Sequence, residues 1–212
     1  MIVGLNLQGK DVWVLGGNKE CEMKAEKLLD AGAKVLVLSH SFTSGIRKLN
    51  ELGKLSIHQS ILNNKIFRNK RPYAVVICTS KPKLDITLHD SARSVGALVC
   101  VVDTPHLNDF NMSAIVKVGD IRIGISTGGL SPAMASLLRK RIEKVITIED
   151  VLQVKLQAFA RKKMKNLIGS PALRKKVVYQ IASDKYVKSL LENQQLEQAK
   201  EQAEKIIQSN LK

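Results

Sequence analysis

Short, unbroken apolar runs alternate with amphipathic stretches through the first hundred residues. Val12-Trp-Val-Leu15 is one such run; it meets Gly16-Gly17, after which Lys19 to Ala31 has helical composition and ends at Gly32, before a second run at Val35–Leu38. Strand, glycine turn, helix and strand in that order predict a β-α-β unit of the length a dinucleotide-binding fold needs, with a pyrophosphate seated over the first turn and helix N-terminus. The alternation continues with a helix after Phe42, a short strand near Leu55–His58, a strand at Ala74–Cys78, a helix from Pro82 to Val95 and a strand at Leu98–Val102. Such alternation predicts a parallel sheet.

After Pro105 the pattern changes. Ala114–Val118 and Ile121–Ile125 are apolar runs separated by Gly119-Asp120, a hairpin signal in which the usual Asp-Gly order is inverted. A Gly128-Gly129 turn follows, then a helix with Ser131 as its cap and Pro132 at its first position. Ser126, Thr127 and the free amides of Gly128 and Gly129 would gather at that strand end, with Arg139, Lys140 and Arg141 on the helix, a place suited to an anion. A purely structural connection accounts for the same residues equally well. From Thr147 onward the chain reads as helix: Thr147 with Asp150 forms a capping-box pattern, Ser170-Pro171 opens a second helix and Ser183 a third, and Leu190 to Ile207 has apolar residues at helical spacing. The expected organisation is α/β: a Rossmann-like parallel sheet over 1–112, a small α+β segment over 113–146 and a helical domain over 147–212.

Charge narrows the partners. The formal net charge is +15, and residues 151–212 carry 13 Lys and Arg against 5 Asp and Glu. An acidic partner is implied, whether nucleic acid, membrane surface or polyanionic small molecule, although a solvated basic face has the same composition. Aromatic residues make up only 4% of the chain, which argues against base-stacking platforms and hence against nucleic acid. Cys21, Cys78 and Cys100 are odd in number and set in or beside apolar runs, which reads as three reduced, buried thiols in a cytoplasmic protein, without zinc-ligand spacing. No run approaches the ~18 apolar residues that span a bilayer, and the N-terminus lacks a leader pattern, so the expectation is a soluble, unprocessed chain.

Three motifs in one order bring a family into view: Leu15-Gly-Gly-Asn-Lys-Glu-Cys-Glu-Met-Lys-Ala25, Val101-Val-Asp-Thr-Pro105 with Asp109-Phe110 beyond, and Ile125-Ser-Thr-Gly-Gly-Leu-Ser-Pro-Ala133. Together they resemble precorrin-2 dehydrogenase, the N-terminal module of siroheme synthase and its stand-alone relatives. The resemblance is strong over the first 145 residues and follows only the general plan in the helical tail.

It implies a homodimer, with 113–146 as its dimerisation segment, that uses NAD to oxidise precorrin-2 to sirohydrochlorin, some relatives also inserting Fe2+ as sirohydrochlorin ferrochelatases. The implied catalytic residue is Asp103; the implied cofactor contacts are Gly16, Gly17, Asn18, Lys19, Glu20, Ser39, His40, Ser41 and Thr79; the implied substrate contacts are Ser126, Thr127, Gly128, Gly129 and Arg139. No resident metal is expected. A ring bearing eight carboxylates suits a basic chain with few aromatics. The chain departs from the family at Asn18, where a third glycine is usual and the side chain is expected to crowd the pyrophosphate, at Cys100, where many relatives have Asn, and after the fourth strand, where only Thr79 is kept. No acid closes the second strand, where Leu38-Ser-His-Ser41 stands. These departures leave a second reading open, a non-catalytic tetrapyrrole carrier or regulator that kept the fold. His106, three residues past Asp103, reads as a proton-transfer or iron-binding candidate or as a solvent-facing loop residue.

Overall fold

A computed structural model describes residues 2–211, which form two compact units dividing between Met112 and Ser113. In the first unit, β1 (Asp11–Leu15), β2 (Lys34–Ser39), β3 (Ser56–Gln59), β4 (Ala74–Ile77) and β5 (Leu98–Val101) make one parallel sheet in the order β3-β2-β1-β4-β5. The strands are joined by α1 (Lys19–Asp30), α2 (Ser44–Glu51) and α3 (Pro82–Ser94), with a 3-10 turn at Asn64–Phe67 before β4 and another at Pro105–Leu107 after β5. The two short turns are not visible in the hydrophobic pattern.

Each face of the sheet has its own core because neighbouring strand residues point to opposite sides. Val12, Val14, Val35, Val37 and Val76 face α1 and α2, packing on Cys21, Ala25, Leu28 and Ile46. Trp13, Leu15, Val75, Ile77, Val99 and Val101 face α3, packing on Leu88 and Ala92, with Trp13 stacked on Phe67 at 5.5 Å. Burial on both faces is why β1 and β4 are apolar without interruption.

The second unit begins with a hairpin, β6 (Ala114–Val118) and β7 (Ile121–Ile125), paired in register from Val118 opposite Ile121. Only the first turn residue, Gly119, has a positive φ (+55°). That is the pattern of a type II′ turn, which takes glycine first, and it explains the inverted order of Gly119-Asp120. Val116 and Ile125 pack on Ala135 of α4 (Pro132–Val145). Four helices follow: α5 (Ile148–Leu167), α6 (Pro171–Ser183), α7 (Lys185–Glu192) and α8 (Leu196–Ser209), closed around Leu156, Ala160, Met164, Ile181, Leu191 and Ile207.

The Thr147–Asp150 capping box forms in full. Two expectations are corrected. Asp184, not Ser183, caps α7, its carboxylate accepting from the Val187 amide at 2.8 Å while Ser183 closes α6. The stretch from Leu190 to Ile207 is interrupted between α7 and α8, where Gln194 has φ +58°. The three cysteines are also not alike. Cys21 and Cys78 are brought side by side, with Cα atoms 6.1 Å apart and Cys21 Sγ 3.3 Å from the Cys78 carbonyl oxygen, whereas Cys100 is buried apart from them. The proximity arises because α1 starts beside the end of β4, although 57 residues separate the two cysteines.

Candidate functional site

All five strands of the first unit are parallel, so their C-terminal ends lie along one edge of its sheet. That edge collects Gly16, Gly17 and Asn18 after β1, Ser39, His40 and Ser41 at and after β2, Thr79 after β4, and Asp103 after β5. β1 sits where the strand order reverses, the place at which such sheets receive ligands.

The turn after β1 is built for close approach. Gly16 has φ +127°, and a Cβ there would stand 2.6 Å from both Cys21 Sγ and the Cys78 carbonyl oxygen. At Gly17 a Cβ would fall 1.9 Å from the Ser41 carbonyl oxygen, so the loop after β2 lies directly on it. Asn18 is extended (φ −82°) rather than left-handed. Its Oδ1 accepts from the Cys21 amide at 3.0 Å and its Nδ2 donates to the Cys78 carbonyl at 3.3 Å. The amide group thus caps α1 and ties the turn to the end of β4. The Lys19 and Glu20 amides, in the first turn of a 12-residue helix, have no intrahelical acceptor and carry the positive end of its dipole.

Around this turn the side chains have distinct duties. Ser39 is buried, and its hydroxyl accepts from the Ser41 amide at 3.4 Å, while His40 and Ser41 are exposed. Thr79 donates to buried Asp85 at 2.5 Å and accepts from the Lys81 amide, which ties its hydroxyl to the start of α3. Asp103 is exposed in the turn after β5, and His106 is exposed in the 3-10 turn beyond. Cys100 is buried against the core shared with α1, and burial pushes its thiol pKa up, so it offers no ligand contact.

One group on this edge escapes sequence reasoning. Glu22 lies in the first turn of α1 yet is buried, bonded to Lys19 Nζ and accepting from Thr43 Oγ1 at 2.6 Å. Those two hydrogen bonds, the lysine's first, hold its carboxyl below the usual carboxylate range and raise the Lys19 ammonium in turn. A glutamate on a polar helix face carries no signal of this.

In the second unit Ser126, Thr127, Gly128 and Gly129 form the turn between β7 and α4. The Gly128 amide is not free, since it donates to Ser126 Oγ at 3.2 Å, and Thr127 Oγ1 exchanges hydrogen bonds with Ser131, donating to its carbonyl and accepting from its amide. Both glycines have positive φ and open space where a Cβ would stand. Ser131 accepts from the Met134 amide at 3.1 Å as the cap of α4, and Arg139 is bonded to Glu143 at 2.8 Å, so its charge is partly engaged. Among the described residues no group of three metal-ligating side chains occurs, and no helix is long and apolar enough to cross a membrane.

Residues 3–114 match the family described as putative NAD(P)-binding, and residues 118–144 match the one described as sirohaem biosynthesis protein central. A precorrin-2 dehydrogenase of Methanosarcina barkeri is 30% identical over 98% of this chain and 93% of its own length. A siroheme synthase of Psychrobacter arcticus is 36% identical over 66% of this chain, which spans a quarter (25%) of that larger protein. Among solved structures, one titled SirC, precorrin-2 dehydrogenase, shares the fold with a TM-score of 0.76 at 19% identity, over 97% of this chain and 99% of that one. With a glycine turn on a doubly wound sheet, and a relative matched almost end to end, the chain belongs to the precorrin-2 dehydrogenase family.

Proposed function

We propose that the protein oxidises precorrin-2 to sirohydrochlorin with NAD+ in siroheme synthesis. The observation that carries this reading is that the glycine turn and Asp103 lie on the same sheet edge, after β1 and β5, with only β4 between them. Two strand spacings amount to about 10 Å, within the span of a dinucleotide that starts on the turn.

The residues present fit that cofactor. Gly16 and Gly17 let Cys78 and the loop after β2 close onto the turn, the Lys19 and Glu20 amides at the start of α1 take the pyrophosphate, and Ser39 to Ser41 border the ribose position. Bound NAD+ supplies the hydride acceptor. Asp103, exposed in the turn after β5, accepts the proton that leaves the macrocycle. Lys and Arg side chains hold the carboxylates of the substrate, with Ser126, Thr127, the Gly129 amide and Arg139 as one group of contacts.

The reading includes a cytoplasmic homodimer. Ile115 on the hairpin, Leu130 in the turn before α4, and Leu137 and Val145 on α4 are exposed, an apolar set that a second copy would cover. The test is to incubate the purified protein with precorrin-2 and NAD+, following the sirohydrochlorin spectrum together with NADH. Both signals are expected to rise in equal amounts, whereas a tetrapyrrole spectral change without NADH would favour the carrier reading. Fe2+ insertion would use the same carboxylate to take pyrrole N–H protons, and sirohydrochlorin with Fe2+ assays it directly.

A further inference from the structure

NAD+ and NADP+ differ by one phosphate on the adenosine ribose, and enzymes of this sheet type commonly choose between them with an acid closing the second strand. β2 ends in Ser39, followed by His40 and Ser41, and has no such acid. Another carboxylate reaches the same loop from α1. Thr43 caps α2, donates its amide proton to the Gly17 carbonyl at 3.1 Å and donates its hydroxyl to Glu22 at 2.6 Å. Glu22 is therefore one residue's reach from the glycine on which the loop after β2 rests. Its carboxyl also lies against the first turn of α2, where a Cβ on Gly45 would meet it at 2.3 Å. The start of a helix beside the ribose loop is where a 2′-phosphate would be drawn. Here an internal anion already fills that place.

We propose that Glu22 is the residue that makes this protein choose NAD+ over NADP+, by placing a buried negative charge at the α2 N-terminus where the 2′-phosphate would sit. This rests on the dinucleotide-binding reading above. The groups facing Glu22 agree with it. Lys19 is bonded to Glu22 and spends its charge there, Thr43 is neutral, and Arg47 on α2 lies over the Phe42 ring at 5.9 Å. Discrimination by an unfavourable charge is as effective as an added contact to the preferred ligand.

The experiment is calorimetric titration of the protein, without tetrapyrrole, with NAD+ and with NADP+, repeated on Glu22→Gln. The wild type is expected to bind NAD+ more tightly, and E22Q to narrow the ratio of the two dissociation constants by about fivefold, the size of a single-charge repulsion in a water-like dielectric. NAD+ affinity close to that of the wild type shows that E22Q has kept its fold. If E22Q does not fold, exposed Lys19→Met uncovers the same carboxylate, and the ratio is expected to widen. Binding of NAD+ with an unchanged ratio in the variant overturns the role of Glu22. Failure of the wild type to bind either dinucleotide overturns the underlying reading instead.

Discussion

Replacing Gly16 by alanine puts a methyl group where the chain has no room for one. The native φ of +127° is a conformation that L residues rarely adopt, and holding alanine there costs about 1–3 kcal/mol. The added carbon would stand 2.6 Å from Cys21 Sγ and 2.6 Å from the Cys78 carbonyl oxygen. A backbone oxygen at the end of β4 cannot swing aside as a side chain can, so crowding adds about 1–3 kcal/mol. The sum is about 2–6 kcal/mol, and with a urea slope of about 1–3 kcal/mol per molar the unfolding midpoint of the first unit should fall by about 1 M or more. Trp13, the single tryptophan, is buried in β1 and makes fluorescence a report on that unit alone. Gly96→Ala is the matched control in the same unit: φ is +83° but nothing lies within 4 Å, so only the backbone cost remains and the Trp13 transition should move less. A midpoint for Gly16→Ala within about 0.3 M of the wild type would refute the steric reasoning.

Asp103→Ala should lower precorrin-2 turnover by about 100-fold or more, the range lost with a general base, while leaving NAD+ affinity unchanged by calorimetry; full turnover would remove Asp103 from the mechanism. Cys100, buried and held above its ordinary pKa, should resist iodoacetamide in the native protein at pH 8 and react once urea is added, as read by mass spectrometry; rapid native alkylation would contradict the burial. Glu22 has a folded pKa below its unfolded one, so its contribution to stability is complete above the ordinary carboxylate range and is lost as pH falls through the lowered value. Between pH 5 and 3 the urea midpoint of the wild type should therefore drop by more than that of Glu22→Gln, and parallel curves would show that the Lys19 and Thr43 bonds contribute nothing.

Much of the fold is legible in the chain because its signals are local. Val12–Leu15 and Ala74–Ile77 are apolar at every position since both faces are covered, and Ser131-Pro132 and the Thr147–Asp150 box mark helix starts through bonds made within three residues. What escapes depends on partners distant in sequence or on competition between neighbours. Cys21 and Cys78 meet only because parallel strands bring the start of α1 to the end of β4. Ser183 and Asp184 are both good caps side by side, and the carboxylate takes the position. Asn18 reads as an intruder in a glycine loop until its amide is seen bonded to Cys21 and Cys78, as the cap of α1. Glu22 resembles any solvated helix glutamate, because Thr43 and Gly45, which enclose it, come from the next β-α connection.

The hairpin tip decides where this protein can be lengthened. A Cβ on Gly119 would meet Val151 Cγ1 at 2.5 Å, so the tip is wedged against the opening turn of α5. An inserted residue there must pry that helix start away, along with the capping box beneath it. The turn at Gly128-Gly129 has clear space around both positions. Peptide tags or reporter loops placed between those two glycines should leave the helical core intact, whereas the same graft at 119–120 should unseat it.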